Sequence, residues 1–177
     1  ARDKVLVKDL NCIEALAHTD ILCVDKTGTI TEAKMEVDNV IPLTDDDPEY
    51  LEQILSAIYS NQEPENDTGR AMTEMFANGT DWVCTHRIPF TSQTKWSAAV
   101  FQDEGAYIVG APEFVMGRRF DEVEEDVEEW TSLGYRVLLV AKYDGYPESW
   151  KLSESLLTPV ALVTLTNRVR PEAPDTF

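Results

Sequence analysis

The chain has 177 residues, of which 33 are Asp or Glu and 15 Lys or Arg, giving a formal net charge of −18 with 43% hydrophobic residues and 3 Cys. That composition describes one or two globular domains able to bury a core without disulfides or a structural metal, and it sets aside an acidic disordered tail. Three widely spaced cysteines with no CxxC argue against a disulfide framework or a zinc site, the net charge argues against a nucleic-acid partner, and no stretch approaches the roughly 20 apolar residues of a membrane span.

Taken in chain order, Asn11 followed by Glu14 is a capping-box pattern, and a short helix is expected up to His18. Residues 21–24 are a continuous apolar run, suited to a strand buried on both faces of a parallel sheet, and the run delivers Asp25 at its carboxyl end, where α/β sheets place their ligands. Leu51, Ile54, Leu55, Ile58 and Tyr59 have helical spacing behind Pro48, and a second helix holds Ala71, Met72, Met75 and Phe76 and stops near Gly79. Residues 82–90 read as extended, and residues 96–101 and 106–109 as a β-hairpin turning through Asp103-Glu104-Gly105. Val123, Val127 and Trp130 form a helical stripe within the acidic run 121–129, which reads as a solvated helix face ended by Gly134. Residues 135–141 and 160–165 are two further strands.

This order has a parallel-sheet look at both ends and helices with antiparallel hairpins between, the pattern of one domain inserted into another. Residues 37–155 are expected to form the insert, with 1–36 and 156–177 returning to one sheet through the strands at Ile21 and Val160. There is no initiating Met or signal-like segment, and the chain stops just after an apparent helix start at Pro171-Glu172-Ala173, so a fragment of a longer protein is expected.

A carboxylate at a strand end followed by Lys, Thr, Gly and Thr can attack a phosphoryl group. Gly28 allows a tight turn that turns N–H groups and hydroxyls toward phosphate, and Lys26 supplies charge. Asp25 alone would read as a capping residue, but the seven-residue string Asp25-Lys26-Thr27-Gly28-Thr29-Ile30-Thr31 resembles the phosphorylation signature of P-type ATPases, pumps built on a haloacid-dehalogenase-like core. Two residues after the nucleophile the soluble phosphatases of that superfamily carry a second Asp as general acid and base; here Thr27 stands there and cannot do that work near neutral pH. A soluble phosphatase with a cap domain is the alternative that Thr27 opposes, and a non-catalytic nucleotide sensor would have no need of the Asp25 string.

The resemblance covers nearly the whole chain. It implies an α/β (α+β) fold in which a nucleotide-binding domain, an antiparallel sheet with flanking helices, is inserted into a partial Rossmann-like phosphorylation domain. Phe90-Thr91-Ser92-Gln93-Thr94-Lys95 is similar to the segment whose Phe stacks on adenine and whose Lys lies close to ATP. Gly110-Ala111-Pro112-Glu113 is similar to the family's Lys-Gly-Ala-Pro-Glu, Gly134-Tyr135-Arg136-Val137-Leu138 to the strand whose Arg approaches the ATP phosphates, and Arg170-Pro171-Glu172-Ala173 to the return whose Arg sits near nucleotide and phosphate. By resemblance Asp25, Lys26 and Thr27 carry the chemistry, Asp25 and Thr27 face Mg²⁺, and Phe90, Lys95, Gly110, Arg136 and Arg170 meet ATP. The implied partners are the remaining phosphorylation, actuator and transmembrane domains of one cation pump at the cytoplasmic face of a membrane. Val109 replaces the family's Lys before Gly-Ala-Pro-Glu, and Asn167 stands where many relatives carry Asp. The His-Pro pair typical of heavy-metal pumps is missing, since His86 precedes Arg87 and His18 precedes Thr19.

Overall fold

The computed structural model describes residues 11, 14, 17–21, 23–25, 29–60, 63–64 and 66–169. Between Thr31 and Val169 the described residues form six strands and four α-helices: β1 (Thr31–Pro42), α1 (Pro48–Tyr59), α2 (Asp67–Met75), β2 (Cys84–Ile88), β3 (Trp96–Phe101), β4 (Gly105–Gly110), α3 (Pro112–Met116), α4 (Glu124–Ser132), β5 (Arg136–Tyr143) and β6 (Leu157–Val169). The strands form one sheet in the order β1-β6-β5-β4-β3-β2, antiparallel at every pairing. The expected architecture of an antiparallel sheet with flanking helices is therefore the observed one.

Local chemistry sets the helix limits. Asp47 accepts the Glu49 N–H at 3.0 Å and Pro48 occupies the first turn of α1, while Asn66 accepts the Gly69 N–H at 2.8 Å to start α2. The far end of α1 is closed from outside: the Arg87 guanidinium on β2 donates to the carbonyls of Ala57, Ile58 and Ser60, at the end where a helix leaves its last carbonyls without intrahelical partners. Gly134, at φ 88°, ends the turn after α4 as the sequence indicates.

Helices cover both sheet faces. Leu51, Ile54, Leu55, Ile58, Met72 and Phe76 of α1 and α2 or the turn after it pack on one, against Phe101, Tyr107, Val140, Val163 and Leu165. Val115, Met116 and Val127 of α3 and α4 pack on the other, against Ile108, Leu139 and Leu162. Alternate residues of β4, β5 and β6 thus enter different cores, which is why these inner strands read as continuous apolar runs. The acidic face of α4 is solvated as expected, with Val127 its one buried residue.

Three readings are corrected. The run 21–24 forms no strand among its described residues: Ile21 is 79% and Val24 39% exposed, because a doubly buried parallel strand needs neighbours on both sides and the described strands all pair antiparallel elsewhere. The strand at Val160 does not return beside Ile21; β6 lies between β1 and β5. Residues 31–42, given no element above, form the long strand β1, whose register is interrupted between Thr31 and Met35 and again between Val37 and Asn39. Asn11, Glu14 and Ala17 are helical, and the other apolar positions of that expected helix lie outside the described residues, as does the helix start at 171–173.

Candidate nucleotide cleft

The antiparallel order brings the ends of β2, β4 and β6 and the beginnings of β1, β3 and β5 to one end of the sheet. A cleft of about 780 Å³ opens there, within the range of small-molecule sites. Phe90, Lys95, Gly110 and Arg136, separated by up to 46 residues in sequence, all line it. Met35, Tyr59 and Thr73 line it from β1, α1 and α2, and Leu165 and Asn167 from β6.

Phe90 follows β2 and lines the cleft, placing an aromatic side chain at its wall. The chain then turns through residues 91–94, where the hydroxyls of Thr91 and Thr94 lie 2.7 Å apart and the Thr91 hydroxyl accepts the Thr94 N–H at 3.0 Å. Lys95 closes that turn by donating its N–H to the Thr91 carbonyl at 2.9 Å, and it does so at φ 62°, left-handed backbone that a side chain adopts at a cost of roughly 1–2 kcal/mol. The Lys95 carbonyl in turn accepts the Ala111 N–H at 2.9 Å.

That bond requires β3 and β4 to approach closely, and Gly110 permits it. A Cβ at position 110 would sit 2.4 Å from Trp96 Cβ and 2.5 Å from the Lys95 carbonyl oxygen. Gly110 therefore acts on strand packing, and through it on Lys95. Arg136 begins β5 and donates to the Thr68 hydroxyl at 2.6 Å, tying it to the first turn of α2; nothing in the sequence motif points to Thr68. Val109 is buried in the core shared with Met35, Tyr59 and Leu165, so among the described lining residues Lys95 and Arg136 are the cations, sharing the cleft wall with the carboxylates of Asp67 and Glu113. Asn167 donates its amide to the carbonyls of Glu32 and Lys34 at 3.4 and 3.3 Å, at the first irregularity of β1, which a carboxylate could not do.

Asp25 is exposed and is not among the lining residues; Lys26, Thr27 and Arg170 lie outside the described residues. Among the described residues no group of three or more His, Cys, Asp or Glu side chains gathers to hold a metal ion, and no helix is long and apolar enough to cross a membrane.

No family model matches the chain. Its sequence is 34% identical over 176 residues to the calcium-transporting ATPase CtpE of Mycolicibacterium smegmatis, covering 99% of this chain and 22% of that protein. It is 33% identical over 176 residues to the probable cation-transporting ATPase exp7 of Streptococcus pneumoniae, covering 98% and 22%. Its fold is similar to that in a crystal structure of a zinc-transporting PIB-type ATPase, with a TM-score of 0.61 at 18% identity over 84% of this chain and 22% of the other. The chain thus spans about a fifth of the length of the relatives it matches.

Proposed function

Because the chain belongs to the P-type ATPases, matching one stretch of them from end to end, we propose that it is the nucleotide-binding segment of a cation pump together with the phosphorylated aspartate. ATP occupies the cleft with its base on Phe90 and its phosphates toward Lys95 and Arg136, and Arg170 approaches nucleotide and phosphate from the segment after β6. The sheet between Thr31 and Val169 supplies this domain, a wider span than the expected 37–155, and the segments on either side of it belong to the phosphorylation domain. In the intact protein a carboxylate oxygen of Asp25 attacks the γ-phosphorus, the bond to the bridging oxygen breaks, and ADP leaves. Lys26 stabilises the transferring charge. Asp25 and Thr27, with phosphate oxygens, would hold Mg²⁺, which would supply charge neutralisation at the γ-phosphate. Thr27 provides no general base, so the aspartyl phosphate survives long enough to be coupled, through actuator and transmembrane domains, to cation movement across the membrane at whose cytoplasmic face this segment lies.

The observation that supports this reading most is the convergence of Phe90, Lys95, Gly110 and Arg136 on one cleft of nucleotide size. Titrating this chain with ATP while following amide shifts is expected to give an affinity near or weaker than about 100 μM, a binding energy of about 5.5 kcal/mol. Phe90→Ala is expected to weaken it about tenfold or more, the loss of one base–aromatic stack. Binding indifferent to Phe90→Ala would sink the cleft as the nucleotide site. Asp25→Asn in the full-length protein tests the other half: acid-stable labelling from γ-labelled ATP is expected to vanish.

A further inference from the structure

The cleft holds two hydroxyls that the fold leaves without a use. Thr73 Oγ1 is buried and finds no hydrogen-bond partner among the described residues, neither the carbonyl one turn back in α2 nor a side chain. Tyr59, the last residue of α1, is 6% exposed, lines the same cleft, and makes no hydrogen bond through its hydroxyl among the described residues. A buried hydroxyl left unpaired, as that of Thr73 is, costs about 1–3 kcal/mol, and a native fold seldom keeps one without a ligand or water to satisfy it. Tyr59 joins Met35, Val109 and Leu165 in one apolar core, and all four line the cleft together with Thr73.

We propose that the Tyr59 and Thr73 hydroxyls meet the hydrogen-bonding edge of the base, forming the inner, polar end of a site whose stacking face is Phe90. This rests on the cleft being the nucleotide site. A planar base stacked on Phe90 presents an edge of amino and ring-nitrogen groups, which would be stranded against Met35, Val109 and Leu165 were there no polar group among them. A hydroxyl both donates and accepts, so the pair serves an amino group and the adjacent ring nitrogen together. Burial alone pushes the Tyr59 phenol above its ordinary value, so it enters the site as a neutral O–H. Phosphate recognition by Lys95 and Arg136 and base recognition by Tyr59 and Thr73 are then separate functions of one cleft.

The test uses two hydroxyl deletions of nearly unchanged shape, Tyr59→Phe and Thr73→Val, and two probes. One probe is ATP; the other is benzimidazole riboside triphosphate, which keeps a bicyclic face for Phe90 but lacks the amino group and six-ring nitrogens. Each variant is expected to lose about 3- to 10-fold in ATP affinity, the worth of one hydrogen bond, while binding the benzimidazole analogue within about twofold of the wild type. Neither variant is expected to lower the ligand-free thermal midpoint, because the deleted hydroxyl bonds to nothing in the fold. Unchanged ATP affinity, equal losses for both probes, or a lowered ligand-free midpoint would each overturn the assignment. Phe90→Ala separates the two levels: it is expected to weaken both probes. If it does and the hydroxyl variants bind ATP like the wild type, only the base-edge inference falls; if the wild type takes up neither probe, the nucleotide reading falls with it.

Discussion

Lys95 carries the sharpest conflict between local stability and use. Among the described residues it alone combines a side chain with positive φ, and the turn that imposes this is fixed by Thr91 and Thr94 on one side and by Gly110 on the other. Glycine at position 95 would relieve roughly 1–2 kcal/mol of strain against about 0.5–1 kcal/mol of added freedom in the unfolded chain. Lys95→Gly is therefore expected to be as stable as the wild type or up to about 1 kcal/mol more so, and to bind ATP severalfold more weakly. Thermal melts and nucleotide titration on the same sample check this; a less stable variant with intact affinity would show that Lys95 serves the fold. Phe90, Lys95 and Arg136 are legible in sequence because each sits in a string of unusual residues. Tyr59 and Thr73 are not, since a Tyr at helical spacing with Leu51 and Leu55 reads as core, and whether a hydroxyl finds a partner depends on what other elements bring to it. Thr68 escapes for the same reason.

Elements whose pattern is local match their sequence reading: α1 behind Asp47-Pro48, the β3–β4 hairpin, the solvated stripe of α4. The long strand β1 does not, because its two register breaks interrupt the alternation by which a strand is recognised. The first of these breaks is held from β6 by Asn167. An acid in its place would aim a carboxylate at two carbonyls. Asn167→Asp is expected to cost about 1 kcal/mol near pH 7, and less below about pH 4, where the protonated acid can donate again. Urea midpoints at the two pH values measure it; a loss that is the same at both would mean that the amide bonds to Glu32 and Lys34 contribute nothing.

For the molecule as a whole, the buried phenols limit stability on the alkaline side. Burial pushes Tyr59 and Tyr107 above the ordinary 10.0, and for Tyr107 the hydrogen bond with Tyr50 adds to the shift. Below pH 10 both states keep these protons and the stability is whole; as pH rises past 10 the unfolded chain ionises while the folded one resists, and stability is lost. Denaturant midpoints are expected to be level from about pH 8 to about 9.5 and to fall at about pH 11, with Tyr107→Phe flattening the fall. A profile with the same slope in that variant would assign the alkaline loss to the acidic chain's own repulsion, given its net charge of −18.

What the sequence alone determined was whatever is written in neighbouring residues: the periodicities of α1, β3, β4 and β5, and the strings around Asp25, Phe90, Gly110 and Arg136 that mark the family. Such features arise from contacts a few residues apart, so they survive being read without coordinates. Tertiary structure decided the rest, because pairing and burial depend on residues far away in the chain. It set β6 between β1 and β5 when an apolar run is equally at home in a parallel sheet, and left Ile21 exposed where the described strands offer it no partner. It also brought Lys95 and Arg136 to the wall of one cleft with the unpaired hydroxyls of Tyr59 and Thr73, which only the meeting of six strand ends could arrange.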